Sequence, residues 1–168
     1  MSLIASLLPA VNVVAALDAG SKKRVFEEAG MLFESQLGLA RDLVFDKLFT
    51  RERLGSTGLG QGVAIPHSRL AGLAEAAGAF IRLSTPIPFD APDGRPVNLV
   101  FVLLVPEEAN DTHLQLLSEL ARMFSDRAFR GQLLAAPDAA ALHTLLTDWK
   151  VDPESGAAGG AARTDRSE

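Results

Sequence analysis

The chain has 168 residues, a formal net charge of −5, 48% hydrophobic and 22% charged residues, and no cysteine. That length fits one domain, since domains run to ~100–200 residues, and it suffices to bury a core without covalent staples. The missing cysteine excludes a disulfide framework, a thiolate metal site, an iron–sulfur cluster and a cysteine nucleophile, and 16 basic against 21 acidic residues give no general attraction to nucleic acid or anionic lipid.

The first seventeen residues are uncharged, but a secretory signal opens with basic residues and the first here is Lys22. Pro9 and Asn12 interrupt the run, and no stretch reaches the ~20 apolar residues of a membrane span. The expectation is a cytoplasmic protein without membrane insertion, with a strand over 11–17. Asp18-Ala-Gly-Ser21 is a turn ending in an N-cap, after which Val25, Ala29, Leu32 and Phe33 recur at helical spacing. Lys22, Lys23 and Arg24 occupy the first turn, where the helix dipole disfavours cations. A solvated surface explains them, and a docking patch for an acidic partner is the sharper alternative.

A second helix is predicted over 40–54, with Leu43, Val44, Phe45, Leu48 and Phe49 facing the core. Residues 55–62, GSTGLGQG, hold four glycines in eight positions and read as a loop. Val63-Ala64-Ile65 is a short buried strand stopped by Pro66. A strand follows at 79–83, then prolines 86, 88, 92 and 96 around an Asp93-Gly94 turn. The almost wholly apolar run at 97–105 fits a central strand covered on both faces. Helices are predicted over 111–124 and 126–134, and a last one after Asp138 carries the stripe Leu142, Leu145, Leu146 and Trp149. Interleaved strands and helices give an α/β class, a single-domain sandwich with a mixed sheet over 1–150. Residues 151–168 hold one large apolar residue, too little burial to offset ordering entropy, and are expected to be a disordered polar tail.

The glycine loop is not a nucleotide loop. It lacks the Lys-Ser/Thr of a P-loop, and it follows a helix and opens a strand, the reverse of a dinucleotide loop. His67, next to Pro66 at a strand end, is held where sheet meets solvent, and neutral imidazole offers a nitrogen that can take and return a phosphoryl group. On spacing alone a packed or capping histidine fits as well. His113 falls in the first turn of the helix begun near Asp111, where unpaired N–H groups favour an anion and the dipole keeps a histidine neutral. Arg51 can supply a bidentate fork to phosphate oxygens, and Thr57 and Ser68 offer hydroxyls for phosphate binding, although loop hydroxyls often bond local backbone instead. His143, beside Leu142 on the last helix, reads as structural, and a three-histidine metal site is rejected.

RERLGSTGLGQGVAIPHSRL at 51–70, PVNLVFVLLVP at 96–106 and THLQLLSELA at 112–121 resemble the fructose/mannitol-type IIA components of the bacterial phosphotransferase system. SKKR at 21–24, PIPFDAPDGRPV at 86–97 and the absence of fused IIB or IIC domains make the chain most similar to the nitrogen-related branch. The resemblance covers about residues 3 to 149. It implies a mixed five-stranded sheet flanked by helices, with His67 accepting a phosphoryl group on Nε2 from the phosphocarrier HPr or its nitrogen-branch counterpart NPr. Arg51 and His113 match the family's supporting arginine and second histidine, and no metal, nucleotide or other cofactor is implied. Ser68 departs from the glycine usual after the active histidine. A positive φ there would strain serine by about 1 kcal/mol or more; otherwise its hydroxyl joins the phosphate site.

Two classes of function follow from the resemblance. One is phosphoryl relay with His67 as covalent intermediate. The other is a regulatory module whose partners, such as potassium transporters or sensor kinases, respond to the charge that phosphate adds beside Arg51. The nitrogen branch combines them. A stand-alone IIA delivering phosphate to a separate fructose- or mannitol-type IIB is the alternative.

Overall fold

The computed structural model describes residues 3–108 and 111–150; the tail expected at 151–168 lies outside the described residues. Among the described residues six strands, β1 (Val13–Leu17), β2 (Gly58–Gly60), β3 (Val63–Ala64), β4 (His67–Leu70), β5 (Ala77–Ile87) and β6 (Val97–Pro106), form one sheet. Five α-helices of these residues accompany it: α1 (Lys22–Leu37), α2 (Arg41–Leu54), α3 (Asp111–Ser125), α4 (Arg127–Ala135) and α5 (Ala139–Asp148).

The strand order is β1-β5-β6-β3-β2, and β4 also pairs with β6. The sheet is mixed: β1 runs parallel to β5, β3 and β4 parallel to β6, and β5 antiparallel to β6. Six strands replace the five expected, and the reason is Pro66. Val63 and Ala64 pair with Leu99 and Val100, and His67 to Leu70 resume on the same side of β6 opposite Leu103 to Pro106. Proline has no N–H to give a ladder, so what would be one strand becomes two. The Leu103 N–H, bonded to Pro66 O at 2.9 Å, bridges the break. His67 therefore opens a strand rather than merely following one.

The 97–105 run behaves as its composition predicts, because successive side chains of β6 point to opposite faces. Leu99, Phe101, Leu103 and Val105 pack with Leu116, Leu120, Phe124, Leu133, Leu142 and Leu146 from α3, α4 and α5. Val100, Val102 and Leu104 pack with Val25, Phe26, Ala29, Phe33, Val44 and Leu48 from α1 and α2. Helices thus cover both faces of one sheet, a layered α/β sandwich.

Several element ends shifted. Residues 10–12 form a 3-10 turn before β1, held by the Asn12 amide, which donates to Gly78 O at 3.1 Å. Ser21 caps α1 as expected, its hydroxyl accepting from the Arg24 N–H at 3.2 Å. On α2 the buried stripe is Val44, Leu48 and Glu52, one residue in four, with Phe45 and Phe49 at its flank; Leu43, a helical step aside, stays 42% exposed. The glycine segment is more ordered than a loop, because Gly58 and Gly60 pair antiparallel with Ala64 and Val63. Arg82 on β5 donates to Leu133 O and Ala136 O at 2.8 and 2.7 Å, satisfying carbonyls that the end of α4 leaves without helical partners. Among the described residues no helix is long and apolar enough to cross a membrane.

Candidate functional site

Pairing of β4 with β6 fixes where His67 stands, and α2 passes alongside. Lys47, Thr50, Arg51 and Leu54 are spaced i, i+3, i+4 and i+7, which places them on one face of α2, away from the stripe that enters the core. That face, the start of β4 (His67, Ser68, Arg69) and His113 in the first turn of α3 line an open cleft of about 390 Å³. Among the described residues the lining holds Lys47, Arg51 and Arg69 and no acidic residue, in a chain of net charge −5. Such a local field favours a small dianion over the acidic surface elsewhere.

The His67 ring is held from behind. Its Nδ1–H donates to Ile65 O at 2.8 Å. A carbonyl can only accept, so Nδ1 carries the hydrogen and, in the neutral ring, Nε2 carries the lone pair. Burial pushes the His67 pKa below its ordinary value; the Ile65 carbonyl opposes this, Arg51 adds to it and Glu52 offsets it in part. The ring is therefore neutral, and nucleophilic at Nε2, near pH 7.

His113 faces it, with ring centroids 6.0 Å apart and planes inclined at 48°. Burial lowers its pKa as well, with smaller contributions from His67 and Arg69, so two neutral imidazoles share the cleft. Arg51 is partly buried, and its Nη1 donates to Gly55 O at 2.7 Å, which holds the guanidinium at the end of α2. Ser68 lies in extended strand opposite Leu104, outside the positive-φ positions of the chain, so its replacement of glycine brings no backbone strain. Its hydroxyl donates to Arg69 O at 3.2 Å, and the residue lines the cleft.

Thr57 is the exception among the expected site residues. It is buried outside the cleft lining, with its hydroxyl donating to Glu52 Oε1 and its N–H to Glu52 Oε2 at 3.0 Å. A phosphate in the cleft would not meet that hydroxyl. The loop hydroxyl has taken a local partner, and the partner is a buried carboxylate. Lys22 completes this cluster: Nζ lies 3.0 Å from both Glu52 Oε2 and Asp90 Oδ2, and 4.9 Å from the centre of the Phe89 ring. The first of the three cations at the start of α1 is thus drawn inward rather than solvated. A larger hollow of about 640 Å³, lined by Lys23, Arg24 and Arg41 but also by Glu27, Asp42 and Asp46, contains neither cleft histidine. Arg24 pairs with Glu28 and Arg41 with Glu34, so that surface is charge-compensated rather than a basic patch.

His143 stands apart from the cleft, its Nε2–H donating to Leu8 O at 2.9 Å, a tie between α5 and the N-terminal segment. Among the described residues no group of three or more His, Asp or Glu side chains is placed to hold a metal ion. Lys47, Thr50, Leu54, Arg69 and Glu52 went unassigned in the sequence. The i, i+3, i+4, i+7 spacing through Arg51 was a usable signal for the first three, and strand alternation from His67 for Arg69. Nothing local marks Glu52, an acid between two arginines.

Residues 6–149 match the model of the family described as phosphoenolpyruvate-dependent sugar phosphotransferase system, EIIA 2. A nitrogen regulatory protein of Pseudomonas aeruginosa is 46% identical over 130 residues, 77% of this chain and 84% of that one. The crystal structure of the nitrogen regulatory protein IIA-Ntr from Neisseria meningitidis superposes with a TM-score of 0.83 at 53% identity, covering 87% of this chain and 100% of that one. The mannitol IIA of Escherichia coli, at 20% identity and a TM-score of 0.69 over 82% of this chain and 97% of that one, shares the fold. With sequence and architecture in agreement over almost all the described residues, the chain belongs to the type-2 EIIA family of the phosphoenolpyruvate-dependent phosphotransferase system, and within it is similar to the nitrogen regulatory proteins.

Proposed function

We propose that this protein is a regulatory phosphocarrier that accepts a phosphoryl group on His67 Nε2 from a phosphohistidine of HPr or NPr, in the cytoplasm. The observation that carries the proposal is the Nδ1–H bond to Ile65 O, which leaves the Nε2 lone pair free in a cleft whose charged lining, among the described residues, is wholly basic. As Nε2 attacks, a nitrogen–phosphorus bond forms on His67. The donor's nitrogen–phosphorus bond breaks, and its electron pair returns to the donor imidazole. The donor ring, with a hydrogen on the nitrogen not bonded to phosphorus, leaves as neutral imidazole, and Nδ1 of His67 keeps its hydrogen on Ile65 O, so no proton has to move. Arg51, with Lys47 and Arg69 nearby, offsets the charge of the phosphoryl oxygens, and His113 supplies a neutral donor across from His67. An open cleft suits this exchange, since two proteins must bring their histidines into line.

Phosphorylation would add roughly −1.5 to −2 charges to this basic cleft, enough to change what docks there. Regulated targets such as potassium transporters or sensor kinases would then distinguish the two states. The similarity to nitrogen regulatory proteins supports a regulatory output, and the chain has no cysteine to take the phosphate onward itself.

Incubation with enzyme I, HPr or NPr and labelled phosphoenolpyruvate tests this, with His67→Ala and His113→Ala alongside. The expected result is stable label on the wild type, none on His67→Ala, and labelling slowed about 100-fold on His113→Ala. Wild-type labelling of His67→Ala would refute the assignment. Rapid passage of label to a purified fructose- or mannitol-type IIB would favour the sugar-relay alternative over regulation.

A further inference from the structure

We propose that Glu52 and Thr57 form a bracket behind the active histidine that fixes the aim of the Ile65 carbonyl and, through it, which nitrogen of His67 is free to react. The inference rests on His67 being the phosphoryl acceptor. It makes Glu52 and Thr57 positioning residues, since neither lines the cleft.

The bonds run without a gap. The Glu52 side chain is 3% exposed and accepts from Lys22 Nζ, the Thr57 N–H and the Thr57 hydroxyl. The Thr57 carbonyl accepts from the Ile65 N–H at 3.0 Å. The Ile65 carbonyl accepts from His67 Nδ1–H at 2.8 Å. Ile65 occupies the break between β3 and β4 and is itself unpaired with β6. On either side β6 holds the chain, through Leu99 N–H on Gly62 O at 3.1 Å and Leu103 N–H on Pro66 O at 2.9 Å. Between these anchors, Thr57 provides the hydrogen bond that fixes the Ile65 N–H.

A carboxylate is costly to bury, and an ion pair with Lys22 alone would tie α2 to α1 without involving the glycine segment. Here both carboxylate oxygens are also committed to Thr57, one to its hydroxyl and one to its N–H. The carboxylate thus holds the strand that holds Ile65. Position, rather than a proton or an electron pair, is what passes along this chain, because successive bonds involve different peptide units. The consequence falls on the tautomer. Neutral imidazole in water prefers its hydrogen on Nε2, the form in which that nitrogen cannot attack. A fixed acceptor at Nδ1 reverses the preference. Arg51 and Glu52, adjacent in sequence, would then serve opposite sides of one site, the first facing the incoming phosphate and the second supporting the nucleophile.

The test uses the full chain with ¹⁵N-labelled histidine in four forms: wild type, Thr57→Val, Thr57→Ser and Glu52→Gln. Thr57→Val keeps the side-chain volume while removing the hydroxyl, and Thr57→Ser restores the hydroxyl without the methyl. Thermal unfolding first identifies the forms that fold at the working temperature. The ¹⁵N shifts of the two His67 ring nitrogens, above the pH of its titration, then report the tautomer. Initial transfer rates from phosphorylated HPr or NPr over a range of donor concentrations report kcat and KM separately.

The expected result is an unprotonated Nε2 in the wild type, a mixture shifted towards Nε2–H in Thr57→Val and Glu52→Gln, and recovery of the wild-type pattern in Thr57→Ser. With that shift, kcat should fall about tenfold or more while the donor KM stays constant. A folded Thr57→Val protein with wild-type ring shifts would overturn the bracket, whatever Glu52→Gln does. A fall in stability with unchanged tautomer and kcat would do so too, since it would make the cluster purely structural. The ring shifts need no phosphate. A wild type that takes no label would therefore refute the proposed function while leaving the bracket judged by its own measurement.

Discussion

His67 owes its proposed reactivity to a bond on the side of the ring away from the cleft. Ile65 O takes the Nδ1 hydrogen, and partial burial with Arg51 nearby keeps the ring unprotonated. A depressed pKa has a definite sign in kinetics: as pH falls, the ring stays neutral past the point where an ordinary histidine would have been charged. The acid limb of the transfer rate should therefore lie below the ordinary value of 6.5, with a flat profile from there to about pH 8. A limb above 6.5, followed by single-turnover transfer across the range, would contradict the depressed pKa. The sequence brings Arg51, His67, Ser68 and His113 forward because their residue types suit the proposed phosphoryl site, and the cleft gathers all four. Thr57 was legible as a hydroxyl in a loop and illegible in direction. The acid that claims it, Glu52, sits between two arginines and looks in sequence like part of a solvated turn, until the helix places it on the buried stripe with Val44 and Leu48.

At the scale of elements, the site depends on how closely α2 lies against α1 and on where Pro66 interrupts pairing with β6. The helices meet at Gly30, where a Cβ would stand 2.8 Å from Arg41 O, inside contact distance. Gly30→Ala must push the start of α2 outward, at about 1–3 kcal/mol of stability, measurable by denaturant unfolding. Because Arg51 is carried on the same helix, transfer should slow in this variant more than in Ser21→Ala, which removes only the α1 cap and costs about 1 kcal/mol. Equal stability of Gly30→Ala and wild type would show that the helices do not touch there. The helices themselves were readable from apolar spacing and from the caps at Ser21 and Asp138, both of which bond as expected. The division of one strand into β3 and β4 was not, although Pro66 was in view. Whether a proline ends a strand or only interrupts it depends on the partner beyond, and Leu103 to Pro106 receive His67 to Leu70. In the same way, GSTGLGQG looked like a loop because glycine has little strand propensity, and pairing with Val63 and Ala64 overrides that.

Across the whole molecule, charge is unevenly placed. The chain carries net −5, yet among the described residues the cleft is lined by Lys47, Arg51 and Arg69 without an acid. A phosphorylated donor would be drawn to that cleft through solvent, and exposed charges separated by more than about 10 Å are screened at ~0.1 M salt. Raising the ionic strength about tenfold should lower kcat/KM for transfer from the phosphocarrier while leaving kcat almost unchanged, read from initial rates. A salt-independent kcat/KM would mean that the basic cleft plays no part in the encounter. The α/β class was legible at this scale from the alternation of elements and from the apolar run that became β6, buried on both faces. The basic cleft was not, because its charges come from α2 and β4, separated in sequence by the glycine segment, and only the fold sums them.

Everything proposed for this site follows from the phosphoryl group residing on Nε2 of His67, a placement that can be measured. It is tested most directly by ³¹P and ¹⁵N NMR of the protein phosphorylated through enzyme I and HPr or NPr, joined to peptide mapping under alkaline conditions, in which phosphohistidine survives. The expected result is one phosphorylated peptide, the one containing His67, with phosphorus coupled to Nε2 and the hydrogen retained on Nδ1. Phosphate on His113 or on Nδ1 of His67 would contradict it.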